Sequence, residues 1–366
     1  MKIQNSGYLC IISLMACMDS KGTTTIDLDD TEQQENIEDS AEEETLEPTQ
    51  DPEPTQEPEP GSNPNSTDND GDGYSEDNGD CDDTDPNSSP NGTDEDVDGI
   101  DQNCDGVDGI DADGDGVAST ESGGDDCDDS NDNISPELTE SCDYLDNDCD
   151  GVLNNDRDCL VYAHSPSTLY EVDPFQRTLS EITSVPSLYD FDTDLSGTLY
   201  GISPPSTVYI FDESTLSWNT VASVNHNGGT LNGFCIHSSN QIYATVGNQV
   251  YTIDTNQGSA TLLGNLGGNF HSSGDCVVDK IDGIYMTSTG SPGDNFVRIN
   301  PETGEGTLVG NTGISGIYGL TSAWGYMFGF TGNGSLVEID KTTGSAQVLH
   351  TFPNIVFYGA ASSAMR

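Results

Sequence analysis

LVYAHSPSTLYEVDPFQRTLSEI, residues 160–182, holds three short β-type runs (160–162, 169–172 and 179–182) with no opening strand before them. FYGAAS, residues 357–362, is an opening strand with nothing behind it. Between these two fragments one unit recurs. Leu199-Tyr200, Ile242-Tyr243, Ile284-Tyr285 and Met327-Phe328 follow starts that contain Asp190, Gly233, Asp275 and Gly319, and each leads to a strand ending in Asp212, Asp254, Asn300 or Asp340. The aromatic residues of these pairs are 43, 42 and 43 positions apart. A period near 40 with three or four short strands per unit indicates a β-propeller with one blade per repeat. Four whole units and two complementary fragments make an all-β, five-bladed ring over 160–366, closed by the C-terminal strand so that no strand edge stays open.

The front of the chain has a different texture. Of its 66 acidic residues, 49 fall in residues 1–159 and 17 after them, against 8 basic residues in all 366, for a net charge of −58. Such a field repels phosphate, which excludes nucleic acid as a partner, and it attracts divalent cations. Within residues 68–159 the pattern Asp-x-Asp/Asn-x-Asp-Gly occurs five times: Asp68/Asp70/Asp72, Asp94/Asp96/Asp98, Asp101/Asn103/Asp105, Asp111/Asp113/Asp115 and Asp146/Asp148/Asp150. Carboxylates at alternate positions, followed by a glycine that lets the backbone turn back, are what a hard cation such as Ca²⁺ needs to collect six to eight oxygens. The loops depart from the EF-hand at its twelfth position, which is Gly79 in the first long repeat and Ser122 in the second; the nearest later carboxylates are Asp80 and Asp126, each directly before a cysteine. No amphipathic helix flanks them, so compact loops anchored by cysteine are expected.

Two long repeats organise the module. One runs from DNDGDGYSEDNGDCDD to DGIDQNCDG and the other from DADGDGVASTESGGDDCDD to DYLDNDCDG. They resemble the MopE-type metal-binding repeat of bacterial surface proteins, and they are similar to the calcium-filled type 3 repeats of thrombospondins, in which metal stands in for a hydrophobic core. The copper in that family's history has no ligands to match here, because residues 61–158 contain no His, Met or Trp. All five histidines (His164, His226, His237, His271, His350) fall in the propeller, on different blades, and read as polar surface residues.

Cysteine usage follows compartment. Cys81, Cys104, Cys127, Cys142, Cys149 and Cys159 form an even set in a module poor in core residues, which reads as a disulfide framework of an exported protein. Six cysteines allow fifteen pairings. The matched separations favour Cys81 with Cys104 and Cys127 with Cys149, leaving Cys142 for Cys159. No zinc-type CxxC occurs. Cys235 and Cys276, on opening strands of neighbouring blades, read as small buried hydrophobes.

Upstream, Lys2, an apolar run over 8–15 and then Leu14-Met15-Ala16-Cys17 resemble the signal and lipobox of bacterial lipoproteins. The resemblance implies lipid on Cys17, a mature chain beginning there, membrane attachment through that lipid, and a place at the outer membrane or cell surface. Residues 18–67, acidic and then EPTQDPEPTQEPEP, read as a disordered tether of polyproline character. No other apolar run approaches membrane length.

For catalysis the sequence offers neither a Gly-x-Ser-x-Gly elbow nor a phosphate loop, and the recurrent Asp173, Asp212, Asp254 and Asp340 at strand ends read as caps of tight turns. The expected function is therefore that of a lipid-anchored, calcium-binding surface protein whose propeller binds an extracellular protein or glycan. A propeller lyase or lactonase with a metal in its channel, and a calcium-storing matrix protein, are the competing classes.

Overall fold

The computed structural model describes residues 63–279 and 283–362. Cys17 with its lipobox, and the tether up to residue 62, lie outside them. Five four-stranded antiparallel sheets form the propeller. Blade 1 is β1 (Val161–His164), β2 (Thr168–Asp173) and β3 (Thr178–Ser184), completed on the inside by β20 (Gly359–Ser362). Blade 2 comprises β4 (Asp190–Thr193), β5 (Leu199–Ser203), β6 (Thr207–Asp212) and β7 (Ser217–Ser223). Blade 3 comprises β8 (Gly233–Ile236), β9 (Ile242–Val246), β10 (Gln249–Asp254) and β11 (Ser259–Asn265). In blade 4 the order is β12 (Ser272–Val278), β13 (Ile284–Ser288), β14 (Asn295–Ile299) and β15 (Gly306–Asn311). Blade 5 is β16 (Ile317–Ala323), β17 (Tyr326–Thr331), β18 (Ser335–Ile339) and β19 (Ala346–Thr351).

Burial falls off outward along every blade. The inner strands β4, β8 and β20 are buried throughout, whereas the outer strands β3, β7 and β15 have no fully buried residue. Apolar side chains fill the spaces between sheets, as in the cluster of Tyr170, Phe330, Phe352 and Phe357 between blades 5 and 1. Each blade's third strand ends in an Asx turn: Asp173, Asp212, Asp254, Asn300 and Asp340 accept amides two residues ahead, and Asp173, Asp254, Asn300 and Asp340 accept a third-residue amide as well.

Ring closure is direct. β20 pairs antiparallel with β1 in the register Val161↔Ser362 to His164↔Gly359, and Tyr358 N donates to His164 O at 2.9 Å. Inner strands touch around a complete circle, β20 to β4, β4 to β8, β8 to β12, β12 to β16 and β16 to β20. Cys235 on β8 and Cys276 on β12 are buried as expected, yet they are not free thiols. They are joined by a disulfide with Cα atoms 5.4 Å apart, because the inner strands of adjacent blades run close enough to face equivalent positions toward each other.

The ring axis is filled by carboxylates. Asp190 accepts the amides of Phe191 (2.8 Å) and Phe234 (2.6 Å), and Asp192 accepts that of Ile236 (2.8 Å). Asp275 accepts the amide of Leu320, and its carboxyl meets that of Asp190 within hydrogen-bond reach. Gly319 and Gly359 make this crowding possible: a Cβ on Gly359 would stand 2.8 Å from Asp190 Oδ1, and one on Gly319 would stand 2.8 Å from the Gly359 carbonyl carbon. His164 sits beside them. It is fully buried and donates through Nδ1–H to Ser165 O at 2.8 Å, so the surface role expected of this histidine is wrong: β1 lies second in its blade, and position 164 turns into the ring.

Burial, and then the charge of Asp275, pushes Asp190 up, and burial pushes Asp275 up, so the pair is expected to share one proton in the folded state. Burial pushes His164 down to about 4. A carboxyl pair that gains a proton on folding contributes its full stability below the ordinary carboxylate range and loses it as pH rises through the raised native value. His164 acts oppositely, destabilising the fold as pH falls from its ordinary value toward 4, so the pair is isolated above pH ~6.5. Thermal melts of the full chain in excess calcium between pH 6.5 and 9 are expected to show the melting temperature falling with pH. Asp275→Asn, whose amide donates to Asp190 without a shared proton, is expected to flatten that slope, each removed pKa unit being worth about 1.4 kcal/mol. An unchanged slope would refute the shared proton.

Candidate metal centre

Each Asp-rich repeat folds into two loops, and the loops are wound by carboxylates accepting nearby amides. In the first, Asp68 accepts from Gly71 (2.6 Å) and Gly73 (3.1 Å), Asp70 Oδ1 from Asp72, Asp72 Oδ1 from Tyr74 and Asp80 Oδ1 from Asp82. Gly71 and Gly73 have φ of 87° and 108°, which L side chains rarely adopt. One oxygen of each carboxylate being spent this way, Asp70 Oδ2, Asp72 Oδ2 and Asp80 Oδ2 are left buried with no hydrogen-bond partner. The second repeat does the same: Asp111 accepts from Gly114 and Gly116, Asp113 from Asp115, Asp115 from Val117 and Asp126 from Asp128. Its orphaned oxygens are Asp113 Oδ2, Asp115 Oδ2 and Asp126 Oδ2, at the matching positions.

Ligand atoms of Asp68, Asp70 and Asp72 lie within 4.8 Å of one another, as do those of Asp70, Asp80 and Asp83 and those of Asp111, Asp113 and Asp115. Burial, and then the charge of neighbouring carboxylates, pushes Asp70, Asp113 and Asp126 up. A cation among them offsets both effects.

The second loop of each repeat is built around one aspartate. Asp101 Oδ2 accepts from Gly106 and Asp146 Oδ2 from Gly151 (2.8 Å), leaving Asp101 Oδ1 and Asp146 Oδ1 orphaned and buried. Asn103 accepts from Asp105 and Asp105 from Val107; Asp148 accepts from Asp150 and Asp150 from Val152. Asp94 joins the Asp101 loop by accepting the Gln102 amide, and its Oδ1 is a further orphan. Glu140 takes the corresponding place in the second repeat, fully buried, accepting the amides of Asn147, Asp148 and Asn154, with ligand atoms of Glu140, Asp146 and Asp148 within 4.8 Å of one another.

Four of the five aspartate motifs thus wind a loop around orphaned carboxylate oxygens: three of them gather three carboxylates within 4.8 Å of one another, and the Asp101 motif offers Asp101 with Asp94. Among the described residues Asp94, Asp96 and Asp98 are not brought together: Asp108 captures the Gly99 amide (2.7 Å) that in the other motifs closes the loop onto its first aspartate, so Asp96 and Asp98 stay at the surface. Two groups of participants were not singled out by the motif. Asp83 and Asp129 end the two Asp-Cys-Asp-Asp segments and bind the backbone amides of Asn69 (2.9 Å) and Ala112 (2.6 Å). Glu140 is Asp94's counterpart and was visible only by aligning the two repeats position by position.

Disulfides hold the two loops of a repeat together, Cys81 to Cys104 and Cys127 to Cys149, with Cα separations of 5.5 and 5.8 Å; a third joins Cys142 to Cys159 at 5.4 Å. Cysteine being spent in bridges, every available donor in the four clusters is oxygen. The orphaned carboxylate oxygens fit a hard cation, and a soft or imidazole-preferring one finds no ligands.

The module also docks on the propeller. Tyr144 packs edge-on against Phe175 (5.0 Å) and Tyr326 (5.4 Å), and its hydroxyl donates to Glu338 at 2.6 Å. Burial, followed by that hydrogen bond, pushes the phenol up. Phe175 follows the end of β2 and Tyr326 begins β17, so contact is made where the inner strands finish. The opposite mouth, where β4, β8, β12, β16 and β20 begin, is an open funnel of about 860 Å³.

Fold and clusters together define an exposed-loop, Asp-rich repeat module carried on a five-bladed β-propeller. Residues 80–109 and 126–154 each match the family described as "Putative metal-binding motif" (Cu-binding MopE). No curated protein matches the chain. Among solved structures, one in a nidogen/laminin complex shares 10% identity at a TM-score of 0.42, over 56% of this chain and 97% of its own. TolB from Acinetobacter baumannii shares 12% at 0.36, over 52% of each chain, and a virginiamycin B lyase from Staphylococcus aureus shares 13% at 0.33, over 53% of this chain and 69% of its own. Likenesses this distant carry no functional argument.

Proposed function

We propose that this is a lipid-anchored protein of the bacterial cell surface in which calcium rigidifies the Asp-rich module and the propeller is held out as a binding or adhesion domain. The observation that carries the calcium reading is the repeated set of orphaned, buried carboxylate oxygens, three in each first loop at equivalent positions; the sulfurs beside Asp126, those of Cys127 and Cys149, are spent in a disulfide. Ca²⁺ accepts many oxygens in flexible geometry, whereas Mg²⁺ demands an octahedron and keeps its waters. Lipid on Cys17 and the tether over 18–67 supply attachment and reach. Docking through Tyr144 leaves the funnel facing away from the module, as display requires. Binding is favoured over a lyase or lactonase because, among the described residues, no carboxylate, imidazole or thiol lines the funnel.

Metal content after dialysis of the full chain, with calorimetric titration of Ca²⁺, Mg²⁺ and Cu²⁺, tests the reading. About four Ca²⁺ per chain are expected, one for each cluster. Glu140→Gln is expected to remove one of the four. Stoichiometric copper with no calcium uptake would overturn it.

A further inference from the structure

We propose that the funnel at the free mouth of the ring is a binding site for neutral saccharides, an inference that gives a ligand class to the display domain proposed above. All five inner strands deliver residues to it: Tyr189 precedes β4, Asn232 precedes β8, Ser273 lies in β12, Tyr318 in β16, and Tyr358 precedes β20. Turns between β9 and β10 and between β17 and β18 raise its rim with Gly247 and Asn333. About 860 Å³ is within the range of small-molecule sites and gives room for a short oligosaccharide.

The lining decides the ligand. Three tyrosines face a common space, with the rings of Tyr318 and Tyr358 6.4 Å apart and inclined at 34°, and Tyr189 is exposed. Aromatic faces carrying a polar tip suit a molecule with apolar C–H faces and a hydroxylated edge. Asparagine, serine and threonine supply the remaining polar groups, and Asn232 Oδ1 and Ser273 Oγ have no protein partner. Among the described residues no charged side chain lines the wall, although the chain carries a net charge of −58. An acidic ligand would be repelled by the surrounding field, and a basic one would lose hydration without gaining a counter-charge. Peptides present charged termini and side chains to the same wall. A neutral sugar meets none of these costs and matches donors and acceptors group for group.

The test uses the full chain loaded with calcium. Saturation-transfer NMR and calorimetry would be run against a panel of neutral oligosaccharides spanning α- and β-linked hexoses and N-acetylhexosamines, with oligogalacturonate and a lysine-rich peptide as charged probes. At least one neutral saccharide is expected to bind saturably. Tyr318→Ala is expected to weaken it at least tenfold, and Tyr189→Ser, at an exposed position that the fold does not need, to weaken it as well. Leu308→Ala on outer strand β15 should change nothing. No binding across the neutral panel by a folded, calcium-loaded chain overturns the inference, as does tyrosine-dependent binding confined to a charged probe. A chain that binds calcium and no sugar sinks this inference alone; one that binds sugar without holding calcium sinks the calcium reading alone.

Discussion

Chelating divalent ions from the full chain is expected to expose residues 68–159 to an aspartate-directed protease while residues 160–362 stay resistant. The module has almost no hydrophobic core: its buried apolar residues are Ala118, Ile134 and Cys159, whereas Val97, Ile100, Ile110, Leu138, Leu145 and Val152 are exposed. Burial of so little apolar surface does not offset the conformational entropy of ordering some ninety residues. Three disulfides restrain the unfolded chain, by about 3 kcal/mol each for loops of this length, but they leave the repulsion among clustered carboxylates untouched. Ion binding to the folded form alone adds about 2.7 kcal/mol per site at a hundredfold excess over Kd, so four sites contribute on the order of 11 kcal/mol, a whole domain's worth of stability. Limited proteolysis and circular dichroism with calcium and with chelator measure the difference. Identical digestion patterns in the two conditions would refute the dependence.

Removing residues 357–366 is expected to unfold the entire propeller. β20 provides the inner strand of blade 1 and also touches β4 and β16, so its loss opens the ring at two further seams. It also removes Phe357, which is fully buried among Tyr170, Phe330 and Phe352. Truncating a buried phenylalanine alone costs about 3–5 kcal/mol, and the lost strand pairing is added to that. The sum reaches the net stability of an ordinary domain, about 5–15 kcal/mol. Phe357→Ala is the milder variant, expected to lower the melting temperature by roughly 6–20 °C at about 2–4 °C per kcal/mol. A truncated chain that melts like the intact one would show that closure does not depend on this strand.

How far each feature could be read from the sequence follows how local its cause is. Period and end fragments were legible because a blade's strands are consecutive and their apolar positions alternate within a few residues. Loops such as Asp68 to Gly73 were legible for the same reason, each aspartate bonding amides two to five residues ahead. Asp94/Asp96/Asp98 shows the limit: the pattern is intact, yet Asp108, ten residues downstream, competes for the amides at its end.

What the sequence determined by itself was the all-β ring of five, its closing strand, and an oxygen-rich acidic module with an even set of cysteines, since these rest on composition, period and turn chemistry. Tertiary structure alone decided which carboxylates share a centre, that Cys235 meets Cys276, that Asp190 and Asp275 share the axis beside a buried His164, and that Tyr144 docks on residues 31 to 194 positions away. Those contacts depend on the angle between blades and on how many complete the circle. No local pattern encodes that angle; it emerges when five sheets pack until their inner strands meet.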